Sequence, residues 1–372
     1  YLEGNNNNYL SYYKKDRLPN AEEEAVMNAA HADHNPLEIL NANKPLDDDD
    51  GGPNSPFQNK GPNTTPTPEL NTTSGNPVEL RVYRMALATS GEFSENLGGT
   101  VDAVMAELVY AISRLNFIFE IETGVRFQLV DNNDELVFLD PDTDPYEGNE
   151  ITNTTDINGT IIAFGTFYQS VTTINTVVGI ENYDIGHLFK TFPCQLDGIN
   201  IGGVSGGNVC IDDTKARGIS CNNNPSDNFY LGTLSHEVGH QLSAAHPWSN
   251  CTPFWNGTDP NGNDQLSDGN AYEPGSGSTI MSYVGACGAN NVQNSGDDYL
   301  HVNSIESIHN YSREGAGTCA MVLPTDNFDP DVDIPFGHGL KIPISTPFQL
   351  TAVASDLNPD DTLTYCFEQY DL

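Results

Sequence analysis

Basic residues are scarce in this chain: 14 Lys and Arg stand against 52 Asp and Glu, a formal charge of −38 over 372 residues. Binding nucleic acid, or an anionic membrane surface, needs a basic footprint, so no nucleic-acid partner is expected. The acidity suits a soluble protein exposed to salt or calcium, and it would draw in basic polypeptides. Long apolar runs are missing too. No stretch approaches the roughly 18 residues of a bilayer span, so no membrane span is expected. No secretory leader is visible at the N-terminus. Cysteine is present in seven copies, yet none forms C-x-x-C, which excludes a thiolate ribbon or thioredoxin motif, and none precedes Cys194. The 37% hydrophobic content is enough for a core of ordinary size.

What is present is concentrated in one stretch, His236-Glu237-Val238-Gly239-His240, followed by His246. At about 3.6 residues per turn, His236 and His240 lie one above the other on a helix face, with Glu237 about 100° round from the first. The same helix carried on would place His246 roughly 15 Å along the axis, whereas metal ligands must all lie about 2 Å from the ion. The chain must therefore turn back between Leu242 and His246, and Pro247 forbids further helix. Three neutral imidazoles leave zinc an open position for water, whose pKa the metal lowers. Glu237 is then placed to take a proton from that water and pass it to a leaving amine, which is peptide hydrolysis. Upstream, Ser226 or Asp227 is a candidate N-cap, and Phe229, Leu231, Leu234 and Val238 give an apolar stripe.

His236 to His246 resembles the metzincin signature H-E-x-x-H-x-x-G-x-x-H, and Ser278-Thr279-Ile280-Met281-Ser282-Tyr283 resembles its Met-turn. Within that clan the chain is similar to the reprolysin-like, adamalysin-related bacterial secreted metallopeptidases, over roughly residues 77–323. Tyr183 to Phe189, Gly206 to Cys210, Lys215 to Gly218 and Ala271 to Ser278 carry the likeness further. One departure is Ser243, where the signature has glycine; a serine there costs backbone energy if φ is positive. The resemblance implies a secreted zinc endopeptidase with ligands His236, His240 and His246, general base Glu237, and Met281 as an apolar floor. In related metzincins with Met-x-Tyr the phenol reaches the metal or the oxyanion, which makes Tyr283 a candidate catalytic residue. Gly203-Val204-Ser205 would be an antiparallel edge strand, against which a peptide substrate lies as one more strand. The resemblance also implies Cys210 with Cys319 and, flanking the Met-turn loop, Cys251 with Cys287, leaving Cys194 for Cys221 and Cys366 unpaired. Such pairing favours an extracellular compartment. For an exported family the first residue is then not the original start.

The fold class expected is α/β: a mixed twisted sheet with an active-site helix and a small loop-rich C-terminal subdomain. Strands are expected at Val78–Ala88, Val125–Val130, Glu135–Leu139, Asp184–Phe189 and Ile199–Cys210. Helices are expected after Thr100, over Tyr168–Val178, across the zinc motif, and after a Ser304 cap. Asp259, Asn261, Asn263, Asp264 and Asp268 offer hard oxygens for Ca2+, although an EF-hand spacing is not met. The acidic runs at Asp140–Asp144 and Asp326–Asp333 raise the same thought. Residues 1–76 read as a linker or prosegment. If they inhibit intramolecularly, the blocking group is not a thiolate but one of His31, Asp33, His34 or Asp47 to Asp50. Residues 324–372, with alternation at Phe348–Ala354 and Thr362–Phe367, read as the start of an Ig- or cadherin-like sandwich, which needs roughly 100 residues when complete. Two other functions remain open: a catalytically silent metal-dependent binding or adhesion module, and a zinc amidase acting on a non-peptide carbonyl.

Overall fold

The computed structural model describes residues 77–155, 161–196, 199–251, 265–334 and 341–370. The proposed prosegment and its candidate blocking groups lie outside them, as do Asp259, Asn261, Asn263 and Asp264.

A twisted sheet runs through the molecule in the order β10-β1-β5-β9-β8, with β2 also on β1. Its centre is parallel: β1 (Pro77–Thr89) pairs β2 (Val125–Leu129) and β5 (Ile185–Lys190), and β5 pairs β9 (Gly218–Cys221). The two ends are antiparallel, β8 (Gly203–Ser205) on β9 and β10 (Met321–Phe328) on β1. Parallel strands are buried on both faces and so read as near-continuous apolar runs, as β5 does with all its residues buried. Tyr83, Met85 and Leu87 of β1 face one core with Ile185 and Phe189, while Ala86 and Ala88 face the other with Leu188.

The first core is covered by α2 (Val101–Thr123), which follows the short α1 (Gly91–Asn96). Thr100 caps α2 by accepting from the Ala103 N–H, and Gly124, at φ 65°, ends it. Val104, Leu108, Ala111, Ile112 and Leu115 are buried at the predicted helical spacing. The second core is covered by α3 (Thr166–Val177) through Phe167 and Ile174.

Several elements depart from expectation. Glu135–Leu139 is not a strand: Asn133–Leu136 forms a 3-10 turn, and only Val137 bridges Thr89. The Asn133 amide takes over the pairing, accepting from the Leu87 N–H at 2.8 Å and donating to the Leu87 carbonyl at 3.0 Å. Ile199–Cys210 breaks into β7 (Ile199–Ile201), which pairs β6 (Cys194–Leu196), and the separate edge strand β8. A further small hairpin joins β3 (Thr154–Thr155) to β4 (Ile161–Ala163). The last helix, α5 (Val302–Arg313), is capped by His301, whose ring accepts from the Asn303 N–H, so Ser304 lies inside it. Beyond β10, β11 (Asp331–Asp333) pairs β12 (Val353–Ser355), and Thr362–Phe367 forms no strand. Those residues instead lead to a dock: the Glu368 carboxylate accepts from the Val302 N–H at 2.7 Å, and Tyr370 stacks on Tyr272 at 4.6 Å.

Disulfides join Cys194 to Cys221, Cys210 to Cys319 and Cys251 to Cys287, with Cys366 free and exposed. Among the described residues no helix is long and apolar enough to cross a membrane.

Candidate active site

The zinc-motif helix begins irregularly. The Asp227 carboxylate receives the Arg114 guanidinium, at 2.9 and 3.0 Å. Phe229–Leu234 then takes π-type hydrogen bonding, a wide turn that often marks functional helices. The α-helical part, α4 (Ser235–Gln241), is buried throughout. Its end is a Schellman motif: Ser243 N–H donates to the His240 carbonyl at 2.8 Å and Ala244 N–H to that of Gly239 at 3.0 Å. Ser243 carries the left-handed turn at φ 71°, so the backbone cost expected for a non-glycine is present, and the chain reverses as His246 requires.

His236, His240 and His246 come together as the one group of three or more His, Cys, Asp or Glu side chains among the described residues that could hold a metal ion. Each ring is oriented from behind. The Nδ1 atoms lie 2.8 Å from the Ile280 carbonyl, 2.8 Å from that of Ala244 and 3.1 Å from that of Gln265, respectively. A carbonyl can only accept, so Nδ1 carries the proton in all three and each Nε2 presents a lone pair. Those Nε2 atoms stand 3.0 to 3.2 Å apart. Ligands about 2.05 Å from a tetrahedral zinc would be roughly 3.3 Å apart. Three lone pairs at this spacing repel one another unless a cation sits among them, so the donor set fits zinc. Burial pushes the His236 pKa down to about 4, which keeps the ring neutral and ready to coordinate.

Glu237 is buried next to its histidine, and β8 runs against it: a Cβ built on Gly203 would stand 2.7 Å from the Glu237 carboxylate. β8 ends the sheet, so beyond Gly203, Val204 and Ser205 no further strand is paired among the described residues. Met281 is fully buried and touches the helix where Gly239 has no side chain; a Cβ there would collide with its sulfur. Tyr283 is buried with its ring 4.5 Å from His246 and 5.9 Å from His236, and its hydroxyl donates to the Gln265 side-chain oxygen at 3.3 Å. Asp268 is exposed. The Asp140–Asp144 run serves backbone donors, Asp144 accepting from the Tyr146 N–H in its own turn and from the Gly91 N–H at the start of α1.

Sequence reasoning missed the residues that hold this site from behind. Gln241 donates to the Gly186 and Lys215 carbonyls at 3.1 and 3.3 Å, and its oxygen faces Nδ1 of buried His187 at 3.0 Å. Ser220 lies 2.9 Å from the other ring nitrogen, so the imidazole is fixed in one tautomer. Glu273 is buried among four donors of the Met-turn. A helical position facing the sheet marks Gln241 as buried; nothing local marks Glu273 as anything but a loop carboxylate.

No curated protein gives a match to this chain. Among solved structures, one titled "Structure of a chaperone-substrate complex" is similar over 64% of this chain and 36% of its own, at 14% identity and a TM-score of 0.32, too slight a likeness to carry an argument. The model of the family described as metallo-peptidase family M12B, reprolysin-like, matches residues 79–312, a span that holds the sheet apart from β10 and the first residues of β1, together with the three histidines and the Met-turn. The chain belongs to the reprolysin-like M12B metallopeptidases.

Proposed function

We propose that this chain is a secreted zinc endopeptidase whose working groups are His236, His240, His246 and Glu237. The observation that carries the reading is the convergence of three proton-free Nε2 atoms beside a buried carboxylate and a terminal sheet strand. Bound among the three histidines, zinc supplies Lewis acidity, polarising a carbonyl and drawing the pKa of water down toward neutrality. Glu237 accepts the proton of the attacking water and delivers it to the nitrogen of the leaving amine, so that one carboxylate serves as base and then acid. The side of β8 on which no further strand is paired among the described residues receives an extended substrate as an added strand, which holds the scissile bond next to Glu237. The disulfides support an oxidising, extracellular setting. The net charge of −38 opposes a nucleic-acid partner.

The test is zinc stoichiometry and casein cleavage by the purified chain, with Glu237→Gln beside it. The variant is expected to keep its zinc and lose turnover on the order of 1,000-fold or more, because an amide cannot take the proton. Zinc without turnover in the unaltered chain would favour the silent binding module, and cleavage confined to non-peptide amides would favour the amidase. We further propose that residues 1–76 restrain the site in the same chain. Cutting between Gly51 and Asn76 should then raise activity; unchanged activity after removal of 1–76 refutes restraint.

A further inference from the structure

We infer that Glu273 is a positioning residue for the metal ligands, acting on His236 through the Met-turn backbone and on His246 through Pro247; this rests on the zinc reading above. Glu273 is buried, and among the described residues no Lys or Arg pairs with it: its partners are the Ser278 N–H at 2.8 Å, the Thr279 N–H at 3.1 Å, the Thr279 hydroxyl at 2.6 Å and the Ser282 hydroxyl. A buried carboxylate is tolerable only when its oxygens are filled by donors. Here every donor belongs to one five-residue turn, Ser278 to Ser282. Inside that turn lies Ile280, whose carbonyl accepts from His236 Nδ1 at 2.8 Å and thereby aims the ring.

The backbone of Glu273 reaches the other way. Its N–H donates to the Pro247 carbonyl at 2.7 Å, in a bridge beside Trp248, one residue from the ligand His246. One residue thus joins the segments behind two of the three ligands. Gly277 makes room for it: at φ 65° the chain folds back so closely that a Cβ there would collide with the Ser282 hydroxyl and stand 3.0 Å from the Glu273 carboxylate. Glutamine is nearly the same shape, but its NH2 group faces either the Ser278 and Thr279 N–H groups, which cannot accept, or the Thr279 and Ser282 hydroxyls, which must rotate from donating to accepting, so the charge-assisted bonds that hold the turn are lost or rearranged.

The experiment is zinc affinity by chelator competition, run on the unaltered chain, Glu273→Gln, Glu273→Asp and Ser282→Ala, with circular dichroism and melting of the metal-free forms in parallel. Outer partners of metal ligands typically matter 10- to 100-fold in affinity. Glu273→Gln is expected to raise the zinc Kd by about that factor with the spectrum of the fold retained, Glu273→Asp to recover part of it, and the cobalt-substituted form to shift its visible bands. An unaltered chain that binds no zinc refutes the zinc reading itself. Zinc bound by the unaltered chain and by Glu273→Gln within threefold of each other overturns the role of Glu273 alone, as does a loss of metal-free stability with no change in Kd. If Glu273→Gln does not fold, Ser282→Ala, which removes one donor only, decides: a Kd raised threefold or more supports the role and an unchanged Kd overturns it.

Discussion

Two regions meet at the three histidines, and they are held together by different physics. From Pro77 to Gln241 the chain builds every strand of the sheet but β10, with helices on both faces, and its side chains make up most of two large apolar cores. From Leu242 to Leu300 the described residues hold no α-helix or strand beyond a 3-10 turn and an isolated bridge. That lower region has a small core of its own in Trp248, Cys251, Tyr283 and Cys287, one disulfide and the filled carboxylate of Glu273, and it lends Leu242, Ala244, Ile280, Met281 and Leu300 to the first core above it. Apolar burial is non-directional and tolerant, whereas hydrogen-bonded loops are specific and fail all at once when a partner is lost. The ligands are divided between the two: His236 and His240 stand on the helix, while His246 and the carbonyl behind His236 come from the loops. Metal bound at this junction would lock the weaker region onto the stronger.

The largest effect expected of that division is on metal removal. A ligand bound only by the native state stabilises it by about 4 kcal/mol at a thousandfold excess over Kd. Chelation should therefore strip hydrogen-exchange protection from residues 265–300 first, while β1, β5 and α2 keep theirs. Uniform loss across the chain would erase the distinction between the regions.

The complementary perturbation is Leu115→Ala. Leu115 is fully buried in the first core, and such truncations cost about 2–5 kcal/mol. The melting temperature should drop, with zinc Kd changing less than about threefold, because the contacts of Glu273 and the core of Trp248, Cys251, Tyr283 and Cys287 are left in place even though Ile280 and Met281 share the first core with Leu115. A parallel loss of metal affinity would mean that the regions are one cooperative unit.

How much of this was legible beforehand follows the same divide. The helix of Val104, Leu108, Ala111, Ile112 and Leu115 and the runs at Val78–Ala88 and Asp184–Phe189 were readable because burial writes its period into the sequence. The ligand trio was readable because two of its members share one helix turn. Glu273 was not, since its meaning depends on donors brought to it by a turn at Gly277 and a bridge to Pro247 that no periodicity records. Asn133 overturned a strand for the same reason: one side-chain amide satisfied Leu87 in place of a ladder.

A smaller effect tests how closely β8 approaches the base. Alanine at Gly203 would put its methyl 2.7 Å from the Glu237 carboxylate and 2.8 Å from its Cγ, so the glutamate side chain, rather than backbone, is what must shift. Glu237 would then sit displaced. Misplacement of a catalytic group by about 1 Å costs up to roughly 100-fold, so Gly203→Ala should lower kcat by about 10-fold or more with melting nearly unchanged. Full activity would mean that this edge does not set the position of the base.

The smallest expected effect lies on a second junction, where Glu122 near the end of α2 accepts from the Leu300 N–H at 2.7 Å. Burial pushes its carboxyl up to about 7, the Leu300 N–H opposes this, and the Glu368 carboxylate adds to it. The folded state thus holds a proton that the unfolded chain releases near its ordinary value of about 4.3. Stability from this group is full below that value and is lost as pH rises through about 7. Glutamine at 122 has no proton to lose, and its oxygen can accept from Leu300 equally well. Glu122→Gln should therefore gain stability over the unaltered chain as pH rises from 5 to 8, reaching on the order of 1 kcal/mol once partial exposure of the carboxyl is discounted. Urea midpoints at the two pH values measure it, and titrating groups that do not interact with Glu122 cancel in the difference between the two proteins. If the difference is the same at both, the carboxyl at this junction titrates alike folded and unfolded, and the contact between α2 and Leu300 does not respond to pH.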